Sequence, residues 1–163
     1  MTSSTTNLVY PRRSFFRSFA TKAPTTAVIV FDTETTGFSR HKDRIIEIAA
    51  RDLQGHGRNS TTFETLINPE IPVKNSHVHG ITTQMVCKPE IPRFKEMVPK
   101  FLKFVNDRRM DRKQVLLVAH NARKFDVPFL VKEFQRYSME VPSNWLFLDT
   151  LPLAQKLVKQ DGN

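Results

Sequence analysis

The 163-residue sequence predicts a single α/β domain: a mixed five-stranded sheet, three antiparallel strands followed by two parallel ones, flanked by helices. Three observations predict it. The run Ala27 to Asp32 (AVIVFD) is apolar on both faces, as in a strand at the middle of a sheet covered on both sides. Two further strand patterns follow it with only short links, the mark of an antiparallel meander. The last two strand patterns are each preceded by helical periodicity, as crossovers to parallel strands require.

Asp32 is expected to end the first strand. The second spans Arg44 to Leu53 and the third Thr61 to Ile67, with Gly55 and Gly57 marking the reversal between them. Phe94, Met97, Val98, Phe101, Leu102 and Val105 recur at helical spacing as a core stripe, and Pro99 inside that run should kink or restart the helix. Lys95, Lys100 and Lys103 fall off the stripe and are solubilising charges. Val115 to Ala119 (VLLVA) forms the fourth strand. Val127, Leu130, Val131 and Phe134 then trace a second helix, with Pro128 in its first turn, where the missing N–H costs nothing. Trp145 to Leu148 gives the fifth strand and Leu151 to Lys159 the last helix. This order is the one the ribonuclease-H-like fold requires, with its first strand central.

Composition bounds the function. Thirty-nine per cent hydrophobic residues with a quarter charged describe a soluble globular protein, and no apolar run reaches bilayer-spanning length. Cys87 stands alone, so an internal disulfide is excluded, a thiolate-based metal site is set aside, and a reducing compartment suits the chain. The net charge of +9 is uneven: Arg12, Arg13, Arg17 and Lys22 precede the first acidic residue, Asp32, and supply close to half of the excess. The remainder is compatible with a polyanionic partner and equally with a solvated basic surface. Residues 1–23, rich in Ser, Thr and Arg, free of acid and containing Phe15, Phe16 and Phe19, have the composition of an organellar transit peptide. Arg17-Ser18-Phe19-Ala20-Thr21 resembles a mitochondrial processing site, and import into mitochondrion, chloroplast or both is expected. The domain then occupies 24–163.

In a strand, residues two apart share a face about 6 to 7 Å apart, so Asp32 and Glu34 of FDTETTG project together. Two such carboxylates repel unless a cation lies between them, which suits a hard divalent ion such as magnesium or manganese. Gly37 would let the backbone turn sharply against a substrate. The alternative is a solvent-exposed strand end.

FDTETTG resembles the first motif of the DEDD exonuclease superfamily, which includes bacterial proofreading subunits and TREX-like enzymes. The second motif is present as His120-Asn121-Ala122-Arg123-Lys124-Phe125-Asp126, with Asp126 matching the third family carboxylate. Val78-His79-Gly80-Ile81-Thr82 resembles the VHGIT turn of proofreading members, where His77 and His79 are loop-packing residues. Asp149-Thr150-Leu151 matches the family's DTL element, its Asp capping the last helix. The resemblance runs from about Ala27 to Lys159. The stretches VFDTETTGFSR, LVAHNARKFDVPFL and NWLFLDTLPLA are similar to a plant organellar branch that degrades chloroplast and mitochondrial DNA.

The resemblance implies 3′-to-5′ exonuclease activity with two Mg²⁺ or Mn²⁺ ions roughly 4 Å apart. Asp32, Glu34 and Asp126 would be catalytic metal ligands, and Thr35, Thr36, Gly37, Phe38, His120, Asn121 and Phe125 would bind substrate. The partner would be nucleic acid with a free 3′ end, DNA in preference to RNA, and no membrane. The DEDDh pattern also needs a His followed five positions later by Asp, supplying the general base and fourth carboxylate. No histidine occurs after His120 and the chain stops at Asn163. The expectation is therefore a fold missing its C-terminal helices, an incomplete site, and little or no turnover. A catalytically inactive nucleic-acid-binding module is the alternative from another class, and a metal-binding protein unrelated to nucleic acid a third.

Overall fold

The computed structural model describes residues 26–53, 61–109 and 113–160. The segment 1–23 read as a transit peptide, and the reversal at Gly55 and Gly57, lie outside the described residues. The elements run β1 (Thr26–Thr35), β2 (Ile45–Asp52), β3 (Thr62–Leu66), α1 (Ser76–His79), α2 (Thr83–Val86), α3 (Phe94–Arg109), β4 (Gln114–Ala119), α4 (Asp126–Arg136), β5 (Trp145–Asp149) and α5 (Leu151–Gln160). The sheet order is β3-β2-β1-β4-β5, with β1 central. β1–β2 and β2–β3 pair antiparallel, β1–β4 and β4–β5 parallel, as the strand and helix patterns require.

One face of the sheet carries the core. Ala27, Ile29 and Phe31 of β1 are buried and join Met97, Val98 and Phe101 of α3 with Phe129, Leu130 and Phe134 of α4. Each fully buried aromatic contributes about 1.5–3 kcal/mol through removal of apolar surface from water. The opposite face differs from the expectation. Val28, Val30 and Leu116 are only half-buried and Leu146 is 42% exposed. The register aligns Val28, Leu116 and Leu146 in one row across three strands, and that row is only partly covered among the described residues. Leu153, Leu157 and Val158 of α5 are likewise exposed.

Two local readings are also corrected. Asp32 does not end β1: pairing with β2 continues to Thr35↔Ile45, with a register shift between Glu34 and Thr35. Threonines extend the strand because their branched side chains suit it and their buried hydroxyls find partners, Thr33 Oγ1 on Asp126 Oδ1 and Thr35 Oγ1 on Gly37 O. Pro99 does not restart its helix; α3 is continuous through it. Pro99 faces solvent, where water can serve the carbonyl it leaves unpaired, while buried Met97, Val98 and Phe101 pin both flanking turns. The turn at residues 78–82 links the end of α1 to the start of α2, and Gly80 caps α1 at φ +80, a conformation that favours glycine.

A buried carboxylate fastens the loop after β1 to α4. Glu133 is 0% exposed and receives Arg44 through two bonds, Nε to Oε1 at 2.7 Å and Nη2 to Oε2 at 3.0 Å. Arg136 Nη1 donates to the same Oε1 at 2.8 Å, and its Nη2 donates to the carbonyls of Arg40 and His41. Tyr137 Oη accepts from Arg44 Nη2 at 2.8 Å. Such a fork is strong because two charged donors share one desolvated acceptor. Removing the acceptor strands two guanidinium groups: Glu133→Ala is expected to cost about 3–5 kcal/mol in urea unfolding. Lys103→Ala, which breaks only the exposed pair with Asp107, is expected to change the same measurement by less than about 1 kcal/mol.

Candidate active site

Strand alternation builds the site. Asp32 is exposed and Glu34 half-buried on one face of β1, while Thr33 between them is buried on the other. Burial pushes the Asp32 carboxyl above its ordinary range, partly offset by the Thr33 backbone N–H. Glu34 is also raised, by burial first and then by the Asp32 charge, against the lowering influence of His79. The register adds two acids the sequence reading missed. Glu47 lies directly opposite Glu34, and Glu64 lies opposite Ala49, itself opposite Asp32. Burial and the charges of Glu64, Glu34 and Asp32 raise Glu47 in turn. The alternating IIEIAARD marks Glu47 as facing away from the core, but only the strand pairing reveals its neighbours.

Asp126, first residue of α4, comes to the same strand end from the helical side. Its Oδ1 accepts the Thr33 N–H at 3.1 Å and the Thr33 hydroxyl at 2.8 Å. The side chain is buried. Burial lifts its pKa to about 6, the Thr33 hydroxyl opposing and the charge of Asp32 adding to the rise. Asp32, Glu34 and Asp126 thus gather at one strand end. They do not form a ready three-ligand cage: among the described residues no group of three or more His, Cys, Asp or Glu side chains is arranged to hold a metal ion. The reason is geometric, because Asp126 Oδ1 is turned onto Thr33, whose side chain points away from Asp32 and Glu34. The donors nonetheless suit a hard divalent cation, being carboxylate oxygens whose charge is raised in cost by burial and by one another.

The loop beyond β1 is held by Asp43. Its Oδ1 accepts the Thr36 hydroxyl at 3.1 Å and its Oδ2 the Ser39 N–H at 2.9 Å. Gly37 is needed for this close approach, since a Cβ there would lie 2.6 Å from Asp43 Oδ2. Phe38 is 70% exposed and its ring sits 6.4 Å from that of Phe125, which in turn packs on Phe129 at 5.0 Å. His79 bridges the loops: Ile81 N–H donates to its Nδ1 at 3.1 Å, so Nε2 carries the proton and donates to Thr35 O at 3.2 Å. His77, by contrast, is exposed rather than packed.

On the second motif, His120 Nδ1 lies 3.1 Å from Thr150 Oγ1. Asn121 adopts φ +58, a left-handed conformation Asn tolerates. Asp149 fastens this loop as well as the last helix. Its Oδ1 accepts the Leu151 N–H at 2.9 Å and its Oδ2 the Arg123 N–H at 3.0 Å. Desolvation opposes ionisation of Asp149, but the backbone donors of Leu151, Arg123, Asn121 and Ala122 outweigh it and hold its pKa below the usual value.

The raised Asp126 has a thermodynamic consequence. Because folding favours its protonated form, its contribution to stability is complete below the unfolded value near 4 and is lost as pH rises through about 6. In chelator, thermal melts should show the protein less stable at pH 8 than at pH 5. Asp126→Asn keeps an acceptor for Thr33 and cannot ionise, so it should gain on the order of 1–2 kcal/mol over the wild type at pH 8 after solvent screening, about half as much at pH 5, and nothing below about pH 4.

Residues 29–163 match the Exonuclease (RNase_T) family. Exonuclease DPD1, chloroplastic/mitochondrial, of Arabidopsis thaliana is 53% identical over 133 residues, covering 81% of this chain and 42% of that protein. The DNA polymerase III PolC-type protein of Caldanaerobacter subterraneus is 39% identical over 137 residues, covering 83% of this chain and 9% of its own length. The chain thus spans less than half the length of these two relatives. Among solved structures, the zinc-bound E. coli ExoI–ssDNA complex aligns with a TM-score of 0.64 at 15% identity, covering 82% of this chain and 30% of that one. That likeness is one of fold, and it extends to the ribonuclease-H-like sheet described above. With the family matched across most of its length, the chain belongs to the Exonuclease (RNase_T) family.

Proposed function

We propose that the chain is a divalent-metal-dependent 3′-to-5′ exonuclease domain acting on organellar DNA. The observation that carries this reading is the placement of Asp126 on Thr33, the residue between Asp32 and Glu34. The contact brings Asp126 against one face of the strand end whose other face carries Asp32 and Glu34, which supports a shared acidic site. Asp32 and Glu34 would hold divalent ions directly, and Asp126 would support them from behind the strand. Mg²⁺ or Mn²⁺, when bound, supplies Lewis-acid activation of water and neutralises charge at the scissile phosphate.

The remaining groups bind and orient. Phe38, exposed, and Phe125, tilted 56° to it, offer aromatic faces against which a terminal base can rest, an interaction indifferent to base identity. The Thr35-Thr36-Gly37 backbone, held against Asp43, would lie along the terminal nucleotide with His120 and Asn121 opposite. Readout through the sugar-phosphate end leaves RNA as an alternative substrate. Residence in mitochondrion or chloroplast is supported by the acid-free, basic stretch 1–23 and by the compartments in the DPD1 name. A second reading, a module that binds nucleic acid without turnover, is favoured by the lack, among the described residues, of three acidic, His or Cys side chains arranged to hold a metal ion.

Release of mononucleotides from a 3′-labelled single strand, with Mg²⁺ or Mn²⁺ and with chelator, tests both readings. On the first reading, release should be metal-dependent and abolished by Asp32→Ala. Metal-dependent binding without any release supports the second reading. Absence of binding refutes both.

A further inference from the structure

A cavity of about 400 Å³ lies between the loop after β4 and the first turns of α5, lined by Asn121, Arg123, Lys124, Asp149, Pro152 and Gln155, with Leu151 among them. Its charge is unbalanced. Arg123 and Lys124 are exposed, and neither is in an ion pair among the described residues. The acid among the lining residues, Asp149, is occupied by the backbone N–H groups of Leu151 and Arg123. Its negative charge is spent on fixing the loop.

The loop presenting these cations is rigidly held. Lys124 N–H and Phe125 N–H donate to Asn121 O, and Val127 N–H to Ala122 O. Arg123 is also three residues from Asp126, so their Cα atoms are within about 10 Å. That upper bound spans at most about three nucleotides, even at the short duplex rise of about 3.4 Å per step.

The geometry points to a phosphate-binding subsite: Arg123 and Lys124, in the cavity against α5, hold the backbone of the nucleic-acid strand within about three nucleotides of its 3′ terminus. This inference rests on the nuclease reading above and adds to it a length requirement on the substrate. Leu151 and Pro152 form an apolar wall for sugars, and Gln155 adds a side-chain donor. The strand would run from the Phe38–Phe125 platform across the second motif into the cavity.

The test is fluorescence anisotropy of the full chain with a 5′-labelled 12-nucleotide single DNA strand in Ca²⁺, titrated over a range of salt. Each phosphate contact to a single strand contributes about 0.7 to the slope of log affinity against log salt. Arg123→Ala/Lys124→Ala should lower that slope by about 1.4 and weaken binding about tenfold or more at low salt. Two controls make the result specific. Lys95→Ala/Lys100→Ala on α3 removes equal charge and should leave the slope within about 0.3 of wild type, and Phe38→Ala should weaken binding with the slope unchanged. An unaltered slope in the Arg123/Lys124 variant, or an equal drop in the α3 control, overturns the subsite and leaves the nuclease reading standing. Failure of the wild-type chain to bind the strand overturns both.

Discussion

One oxygen atom, Asp126 Oδ1, joins the two halves of this molecule's chemistry. It takes both donors of Thr33 across 93 residues of sequence. The constraint beneath it is the alternation of a β-strand, which turns Thr33 away from Asp32 and Glu34. Asp126 therefore approaches through the helical layer while the acidic pair looks out on the other side. The strand backbone separates charges that would otherwise crowd, and its N–H satisfies the one that is buried. Everything that fixes α4 in place, above all Glu133 with Arg44 and Arg136, also fixes where Asp126 meets β1.

Much of this was legible in the sequence because it depends on local spacing. The period of two in FDTETTG places Asp32 with Glu34, and the 3.6-residue period through Val127, Leu130 and Phe134 orients α4 against the core. Strand order followed from the sequence of patterns and from the length of the links, because parallel neighbours need crossovers and antiparallel ones do not. The second motif was recognised as a string, and the string gave Asp126 without its geometry. Nothing in HNARKFD states that the carboxylate will turn onto Thr33.

What escaped the sequence depends on register and on partners far along the chain. Glu47 stands in an apolar run and reads as an isolated solvent-facing acid, yet the β1–β2 pairing sets it opposite Glu34. Glu133 sits on the helical stripe's edge and reads as a surface charge, yet it is fully buried beneath two arginines. Arg44 and Arg136 are 92 positions apart, so no window of periodicity links them. The uncovered row Val28, Leu116 and Leu146 escaped for the opposite reason. An apolar run signals a strand that ought to be covered twice, but hydrophobicity alone does not say what supplies the second layer.

The bridging imidazole of His79 couples a loop to the acidic strand end. Both ring nitrogens are committed, one receiving the Ile81 N–H and the other donating to Thr35 O. The Nε2 contact ties the α1–α2 loop to β1, and the Nδ1 contact orders the turn at Ile81 within that loop. The same histidine stands near enough to Glu34 to lower that acid's pKa against the effect of burial. Replacing the ring would therefore loosen the loop and alter the field at Glu34 in one step.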